Sequence, residues 1–317
     1  MSLDAAPGRK QASPWLGDWD GDGDLDLLLG LGDEVFHYSV TAGAASGGAS
    51  LVRAADAQQL QGPLAPCAMD VNGDGRLDLV LTDGAGQLWA LTVGSEGECG
   101  PPQMLAMGGE VVKLTPPARP WAGDWNGDGR VDLIVGDADG RLVLCAGTAE
   151  GAAAPQIIGG SGSRWRPGGL DMRCAAPWLC DWDGDGDGDV LLGCRRGFVT
   201  LVERTGPLAL RSLGYLQQSQ APVDVGRCAV AACGDWDGDG DADVVVGGED
   251  GCVTLYERLP GQGILLARGQ LLLGDAGLVM AQAHRENDYL RYAWPAVVDW
   301  DGDGDLDLLV GSGSGRV

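Results

Sequence analysis

The chain has 317 residues, of which 46 are acidic and 21 are basic, and its formal net charge is −25. No basic patch or stripe interrupts this acidity, which excludes nucleic-acid binding. No run of about 18 apolar residues occurs, so we expect no membrane-spanning helix. The first ten residues lack an apolar core and do not resemble a signal peptide.

An aspartate-rich segment, Asp-Trp-Asp-Gly-Asp-Gly-Asp-Leu-Asp in its first copy, occurs six times with small edits. Successive copies are 52, 54, 57, 54 and 64 residues apart. Repetition at such a period indicates a repeat architecture, and its even spread favours one domain over residues 1–317. The copies begin at Asp18, Asp70, Asp124, Asp181, Asp235 and Asp299.

Comparison of the six copies assigns a role to each position of the loop. Positions 1, 5 and 9 are always Asp, position 3 is Asp four times and Asn twice, and position 6 is always Gly. Calcium takes six to eight oxygen ligands, and alternate carboxylates on a tightly curled backbone can converge on one ion. Gly at position 6 permits the positive φ that such a sharp turn requires. Each copy therefore predicts a calcium-binding loop, with up to six ions in the chain.

Position 7 is Asp in four copies and Arg in the other two, Arg76 and Arg130. Because a cationic side chain cannot bind calcium, we expect position 7 to contribute its backbone carbonyl in every loop. The predicted ligands are Asp18, Asp20, Asp22, Asp24 and Asp26; Asp70, Asn72, Asp74, Arg76 and Asp78; Asp124, Asn126, Asp128, Arg130 and Asp132; Asp181, Asp183, Asp185, Asp187 and Asp189; Asp235, Asp237, Asp239, Asp241 and Asp243; and Asp299, Asp301, Asp303, Asp305 and Asp307.

Two other readings of the loops fit less well. An EF-hand needs Glu at position 12 and flanking helices, whereas position 12 is Leu or Val in all six copies and lies in a short apolar run that is typical of a buried strand. Asp and Gly also form ordinary turns, but a turn needs one or two such residues and not four at fixed spacing.

The acidity of the chain lies mainly in these loops. The side-chain ligands at positions 1, 3, 5 and 9 include 22 Asp, and without them 46 − 22 = 24 acidic residues face 21 basic residues, a balance of −3. Six calcium ions would return a charge of +12.

The copy at Asp124 shows the predicted plan of one repeat. The segment 119–123 enters the loop, residues 131–136 form a strand, and a tight turn at 137–140 leads to a further strand at 141–145. A more variable segment that includes 155–158 completes about four strands per repeat. Four antiparallel strands repeated radially describe the blade of a β-propeller, so the predicted fold class is all-β.

This pattern, Asp-x-Asp/Asn-Gly-Asp-Gly-x-x-Asp followed by an apolar strand that ends in Gly, resembles the FG-GAP or VCBS repeat. The family includes the propeller of integrin α-subunits, and the resemblance covers residues 15–317. It implies calcium in each loop, a ring of four-stranded blades, and an extracellular or cell-surface location. Six repeats indicate six blades or an incomplete ring of seven. The last repeat lacks its third and fourth strands, and the segment before Asp18 supplies about one strand towards closure.

For function, the resemblance favours a non-catalytic scaffold that binds a protein or glycan through the loops on one face. The candidate segments are 159–174, 213–227 and 274–295. The alternative is a lectin or a polysaccharide-acting enzyme, either a lyase or a glycosidase. Its one candidate cluster is His284, Arg285, Glu286, Asp288, Tyr289 and Tyr292.

The tryptophans and cysteines are expected to be structural. Trp occupies position 2 in five loops and precedes three loops by three residues, as expected for packing between repeats or, alternatively, for a surface that stacks on glycans. The nine Cys cannot all pair within one chain, and several lie in apolar strands, so we expect free buried thiols.

Overall fold

The computed structural model describes residues 12–41, 43–52, 59–107, 110–158, 175–219, 221–259, 261, 263–267, 269–271, 273–274, 277–278 and 292–313. Within these ranges every regular element is a β-strand, which confirms the all-β prediction. Each aspartate loop joins the first and second strands of one antiparallel sheet, so the loops are turns between strands, as predicted.

The six main sheets follow one another along the chain, and we number them 1 to 6. Their strands, in chain order within each sheet, are Ala12–Gly17, Leu25–Leu31, Glu34–Thr41 and Ala44–Ser50; Ala65–Met69, Asp78–Thr82, Leu88–Leu91 and Gln103–Met104; Arg119–Gly123, Asp132–Gly136, Leu142–Cys145 and Gln156–Ile158; Ala176–Cys180, Asp189–Gly193, Val199–Arg204 and Leu210–Tyr215; Val230–Gly234, Asp243–Gly247, Val253–Tyr256 and Gln270–Leu271; and Ala293–Val298 and Asp307–Ser312.

Short strands form the remaining sheets. They are Ala106–Met107 with Glu110–Val111, Gly147–Thr148 with Gly151–Ala152, Gln217–Gln218 with Ala221–Pro222 and Leu265–Leu266, and Leu273–Gly274 with Gly277–Leu278.

The second strand of sheets 1 to 5 is apolar on both faces because neighbouring sheets cover both of them. In sheet 3, Leu133, Ile134 and Val135 are completely buried. Their side chains belong to two different clusters, one shared with sheet 2 and one shared with sheet 4. Since full burial of one such side chain contributes about 1.5–3 kcal/mol, these strands hold the sheets together.

A close backbone approach joins each sheet to the next. In sheet 3, a Cβ at Gly136 would lie 2.3 Å from the carbonyl oxygen of Ala175, which precedes the first strand of sheet 4, so glycine is required there. Sheet 2 carries Thr82 at the equivalent position, and its hydroxyl instead donates to the carbonyl of Ala118 at 3.2 Å. The other glycines approach the next sheet in the same way: Gly30 at Leu64, Gly193 at Ala229, Gly247 at Ala293 and Gly311 at Ala12.

The sequence of contacts returns from sheet 6 to sheet 1. The first strand of each sheet contacts the first strand of the next, and Ala293–Val298 contacts Ala12–Gly17. The segment before Asp18 differs from our expectation, because Ala12–Gly17 is the first strand of sheet 1, paired with Leu25–Leu31. Ala12–Gly17 contacts sheet 6 across the interface between the two sheets, and it does not add a strand to sheet 6. In the described part of the chain, sheet 6 has two strands.

The eight cysteines in the described residues are free, which confirms that part of the prediction for them. Five of the eight are buried as predicted, and the other three, Cys180, Cys228 and Cys252, are partly exposed. Cys174 lies outside the described residues. The thiols of Cys180 and Cys233, on the first strands of sheets 4 and 5, are hydrogen-bonded to each other.

Candidate metal centres

All six aspartate loops share one backbone conformation. The Gly at position 6 has a φ between 82° and 95° in every copy, which confirms the predicted left-handed turn. The Gly at position 4 also has a positive φ, between 75° and 78°. We did not predict this second turn, although Gly at position 4 in all six copies was a sufficient signal.

The carboxylate at position 1 holds this curled backbone together. Asp18 accepts hydrogen bonds from the amides of Gly21, at 2.8 Å, and Gly23, at 3.1 Å. The side chain at position 3 accepts from the amide at position 5, and the side chain at position 5 accepts from the amide at position 7. The bond from position 6 to position 1 is present in all six loops. Side chains 1, 3 and 5 are therefore drawn to the same side of the loop.

Carboxylate oxygens at positions 1, 3 and 5 lie within 4.8 Å of one another in the loops that begin at Asp18, Asp181, Asp235 and Asp299. In the other two loops, Asn72 and Asn126 occupy position 3 and make the same bond to the position 5 amide, at 2.8 and 2.9 Å. The structure thus brings together the predicted ligands at these three positions. A donor set made only of carboxylate and amide oxygens fits a hard divalent cation such as calcium.

The Asp at position 9 also has a structural role that the sequence did not reveal to us. Asp132 is fully buried, and its two oxygens accept the amides of Trp125, at 2.9 Å, and Gly147, at 2.7 Å. It therefore ties the loop to the end of the third strand. The first of these bonds recurs in all six loops. In loop 1, the second oxygen of Asp26 instead meets Nε2 of His37 at 2.8 Å. The ligand role of position 9 stays a prediction.

Burial, together with the charge of neighbouring carboxylates, raises the pKa of several Asp side chains at position 9. Burial, with the neighbouring carboxylates as a further cause, raises the pKa of Asp189 to about 6. Burial likewise raises the pKa of Asp78, Asp132 and Asp243, although their backbone hydrogen bonds oppose the shift. A bound cation would favour the ionised form of all these groups.

The side chains at position 7 do not enter the loops in the two Arg copies. Nη2 of Arg76 contacts the Asp74 carboxylate at 2.5 Å, and Nη1 of Arg130 lies 3.7 Å from the Asp128 carboxylate. Each guanidinium thus neutralises the position 5 carboxylate. The predicted role of the position 7 carbonyl remains an expectation.

The tryptophan at position 2 attaches three of the loops to the following sheet. Nε1 of Trp125 donates to the carbonyl of Pro207 at 3.2 Å, and the Arg204 guanidinium lies 4.9 Å from the ring centre. The interpretation as packing between repeats is confirmed for this residue and two others. Trp182 meets Gly263 and Arg258 in sheet 5, and Trp300 meets Gly43 in sheet 1.

Two further regions of the chain are candidates for a site. The first strands of the six sheets line a mainly apolar cavity of about 290 Å³, and its walls include Trp15, Trp121 and Trp178. Five of the six residues in the proposed catalytic cluster, at 284–289, lie outside the described residues, as does the candidate segment 159–174. The sixth, Tyr292, stacks on Trp294 with the ring centres 6.0 Å apart. No helix in the described part of the chain is long and apolar enough to cross a membrane.

Two solved structures with TM-scores above 0.5 share the general fold at low sequence identity, and a third is similar at a lower score. A triple arginine-to-alanine mutant of AofleA from Arthrobotrys oligospora is 10% identical over 98% of this chain and 82% of its own, with a TM-score of 0.59. BBS1N in complex with ARL6DN is 12% identical over 100% of this chain and 94% of its own, at 0.51. The GH43_1 enzyme from Xanthomonas citri complexed with xylose is 14% identical over 90% and 95%, at 0.49.

The search of curated proteins found no significant match. The sequence model for the FG-GAP-like repeat matches residues 124–192 and 235–310, which contain the third to the sixth aspartate loops. These two segments are therefore FG-GAP-like repeats, which supports the resemblance that the sequence pattern indicated.

Proposed function

We propose that the chain is a calcium-stabilised, non-catalytic β-propeller that binds a protein or glycan partner. The observation that carries the calcium site is the convergence of three carboxylates within 4.8 Å in four separate loops. Without a cation these groups repel one another, so an ion that binds only the folded loop stabilises the fold by mass action. Positions 1, 3 and 5 would hold it, with the position 7 carbonyl and the position 9 carboxylate completing the oxygen shell.

The proposed ring has six blades and closes between sheets 6 and 1. Support comes from Gly311 and Trp300, which make with sheet 1 the same contacts that their equivalents make between consecutive sheets. Because the position 2 tryptophans Trp125, Trp182 and Trp300 bond to the next sheet, an ion that holds one of these loops in shape also supports the interface between two blades. Calcium in this proposal acts on the stability of the whole ring.

Binding is assigned to the connecting loops, because a rigid ring positions variable loops in the way that recognition requires. A protein ligand suits this fold, since the BBS1N neighbour is seen in complex with ARL6DN. We place the chain in the extracellular space or at the cell surface, where calcium reaches the concentration that weak sites need. The proposed role is non-catalytic; the sequence shows no nucleophile elbow or phosphate loop, and a glycosidase or lyase is the alternative.

Metal content tests the proposal directly. The purified chain is dialysed to equilibrium against about 1 mM calcium, and the metal per molecule is measured by mass spectrometry with the dialysis buffer as the blank. We expect several calcium ions and at most six. The variant Asp235→Ala, which removes position 1 of loop 5, should carry one ion fewer. Less than one calcium ion per chain at equilibrium dialysis would end the proposal.

The binding role has a separate test. A glycan array and a screen of extracellular protein domains, each with calcium and with EGTA, should return at least one ligand that needs the folded ring. Turnover of uronate polysaccharides, detected as double-bond formation, would show a lyase instead.

A further inference from the structure

A histidine in sheet 1 occupies a position that is apolar in the other four-stranded sheets. His37 lies on the third strand and is paired with Leu28 of the second strand. The same place in sheets 2 to 5 is occupied by Ala90, Leu144, Leu201 and Leu255. Each of these four side chains is 5% exposed or less. Packing between sheets, which selects small or aliphatic residues at this position, therefore does not explain the histidine.

The imidazole of His37 contacts the aspartate loop of its own sheet. Its Nε2 lies 2.8 Å from Oδ1 of Asp26, the carboxylate at position 9. The equivalent oxygen in sheets 2 to 5 accepts a backbone amide instead, from Val93, Gly147, Arg204 or Arg258. A ring nitrogen of His37 and carboxylate oxygens of Asp20 and Asp26 all lie within 4.8 Å of one another. The loop at Asp18 thus combines a nitrogen donor with two carboxylates.

The tryptophan beside this group also differs from its equivalents. Trp19 is 6% exposed, and its ring meets the imidazole of His37 edge-on with the ring centres 4.9 Å apart. Its Nε1 has no hydrogen-bond acceptor among the described residues. In three other loops the same atom donates to a carbonyl of the next sheet. Since a buried N–H without an acceptor is unfavourable, a ligand oxygen held beside the imidazole would stabilise this site.

We propose that the loop at Asp18 binds zinc through Nε2 of His37 and one carboxylate oxygen each from Asp20 and Asp26. A water molecule completes the coordination and offers an acceptor to the N–H of Trp19. Three protein ligands with one open position is a recurrent arrangement for zinc. The proposal goes beyond the calcium sites and does not rest on calcium in the other five loops.

The donor set distinguishes this site from a calcium site. Calcium takes oxygen ligands, whereas imidazole nitrogen suits zinc and the neighbouring transition metals. Two ligand atoms about 2.1 Å from a tetrahedral zinc ion are about 3.4 Å apart. The His37 and Asp26 atoms, now 2.8 Å apart, must therefore separate by about 0.6 Å. The side chain of His37 is 18% exposed, so a small rotation towards solvent provides this movement.

The carboxylate of Asp26 is already oriented for the ion. Its Oδ2 accepts the amides of Trp19, at 2.9 Å, and Asp20, at 3.2 Å, which leaves Oδ1 towards the imidazole. Hydrogen bonds of this kind fix metal ligands in place and strengthen binding. The carboxylate of Asp26 is 2% exposed, whereas Asp20 is exposed, so the ion enters from the side of Asp20.

Nuclear magnetic resonance of labelled histidine tests the site directly. The chain has two His, His37 and His284, so ¹⁵N-labelling of histidine gives a simple spectrum. The intact protein, in about 1 mM calcium, is titrated with zinc chloride. We expect saturation at one zinc ion per chain and a large shift of the Nε2 signal of one histidine. The variant His284→Gln should keep that shift, which assigns it to His37.

Two variants with the same change in charge separate ligation from electrostatics. Asp20→Asn and Asp22→Asn each remove one negative charge from the loop, and only Asp20 belongs to the zinc group. Asn is the natural residue at position 3 in two other loops, so Asp20→Asn should fold. In competition with a chromogenic zinc chelator, Asp20→Asn should weaken zinc binding at least about tenfold and Asp22→Asn less than about threefold.

Replacement of the histidine should have a larger effect. His37→Gln keeps a hydrogen-bond donor towards Asp26, and its melting temperature without zinc checks that it folds. Because loss of a residue that merely orients a ligand weakens metal binding about 10–100-fold, loss of the ligand itself should cost more than about 100-fold. Calcium content in the same variant should be unchanged.

Three results would each overturn the proposal. Equal loss of zinc affinity in Asp20→Asn and Asp22→Asn would show that zinc responds to loop charge alone. Zinc binding without a change at His37 would place the ion elsewhere. Absence of zinc binding would leave His37 as a hydrogen-bond donor to Asp26 only. None of these results depends on a ligand of the connecting loops, and all are distinct from failure of the other loops to bind calcium.

Discussion

The two loops that carry Asn and Arg differ from the other four in charge but not in shape. The loop at Asp181 has Asp at positions 1, 3, 5, 7 and 9, a formal charge of −5, whereas the loop at Asp70 has three Asp, one Asn and one Arg, a charge of −2. Both show the same two left-handed glycines and the same bond from position 6 to position 1. Backbone geometry and charge are therefore encoded by different positions of the same motif.

The two loops also differ in the contacts that the position 5 carboxylate makes. In the loop at Asp70, the Asp74 carboxylate receives both the Arg76 guanidinium, at 2.5 Å, and the side-chain amide of Asn72, at 3.2 Å. Arg76 also donates from Nε to the carbonyl of Val93 at 3.2 Å, which links it to the hairpin of the same sheet. In the loop at Asp181, carboxylates 1, 3 and 5 face one another with no cationic side chain of the loop among them. The folded shape of loops such as the one at Asp181, with Asp at positions 3 and 7, should therefore depend more strongly on a bound cation.

Among the tests of this comparison, removal of calcium should change the stability of the protein most. With dissociation constants in the range typical of extracellular modules, each loop contributes about 1 kcal/mol at about 1 mM calcium, and six loops about 6 kcal/mol. We expect EGTA to lower the melting temperature by about 10 °C in scanning calorimetry. Readdition of calcium should restore it, and magnesium should not. An unchanged melt would contradict a stabilising role of the metal.

Conversion of one type of loop into the other isolates the contribution of charge. The double variant Asp183→Asn and Asp187→Arg gives the loop at Asp181 the residues that the loop at Asp70 has at positions 3 and 7. We expect the melting temperature in EGTA to rise by about 2 °C, because carboxylate repulsion is relieved. The calcium-dependent increase in melting temperature should become smaller.

The reciprocal variant, Asn72→Asp with Arg76→Asp, is the matched control. It raises the charge of the loop at Asp70 to −5 and should lower the melting temperature in EGTA while widening the gap to the calcium-loaded protein. If both double variants shift the metal-free melt in the same direction, loop charge does not explain the difference between the two types.

The repeated positions made the sheets and the left-handed Gly at position 6 predictable. Six copies allowed the roles of the positions to be compared within one chain, and the strand at Asp132–Gly136 is one residue shorter than predicted. The second role of Asp132 was not predictable from loop spacing, because its partner Gly147 lies fifteen residues on, beyond the next strand. The pairing of Ala12–Gly17 within sheet 1 depended on register between strands, which the repeat pattern alone did not specify.

Protonation of the loop carboxylates should stabilise the metal-free protein and weaken the stabilisation that calcium provides. The pKa of Asp189 is raised to about 6, above the ordinary value of 3.8, so the metal-free folded state binds its proton more tightly than the unfolded chain. The resulting stabilisation is present at low pH and is lost as the pH rises through about 6. In EGTA, the melting temperature should therefore rise between pH 7 and pH 5.

With calcium the same protons compete with the metal for carboxylates, so the calcium-dependent increment should shrink over that interval. Calorimetry at several pH values, with calcium and with EGTA, measures both trends. Asp189→Asn should flatten the metal-free profile. A metal-free melting temperature that falls steadily below pH 7 in the unaltered protein would show that burial of these carboxyl groups does not govern its stability.

Removal of a single guanidinium should have the smallest effect on stability. Arg76 and Asp74 are both substantially exposed, at 47% and 31%, so Arg76→Ala should change the free energy of unfolding by no more than about 1 kcal/mol. Its effect on the metal should be easier to detect, because loss of a positive charge beside position 5 raises calcium affinity by about two- to fivefold at low salt. Arg130→Ala is the control, and since Arg130 lies 3.7 Å from Asp128 its effect should be weaker. A lower calcium affinity in Arg76→Ala would mean that the bonds of Arg76 to Asp74 and Val93 arrange the loop for the ion, and that its charge matters less than its position.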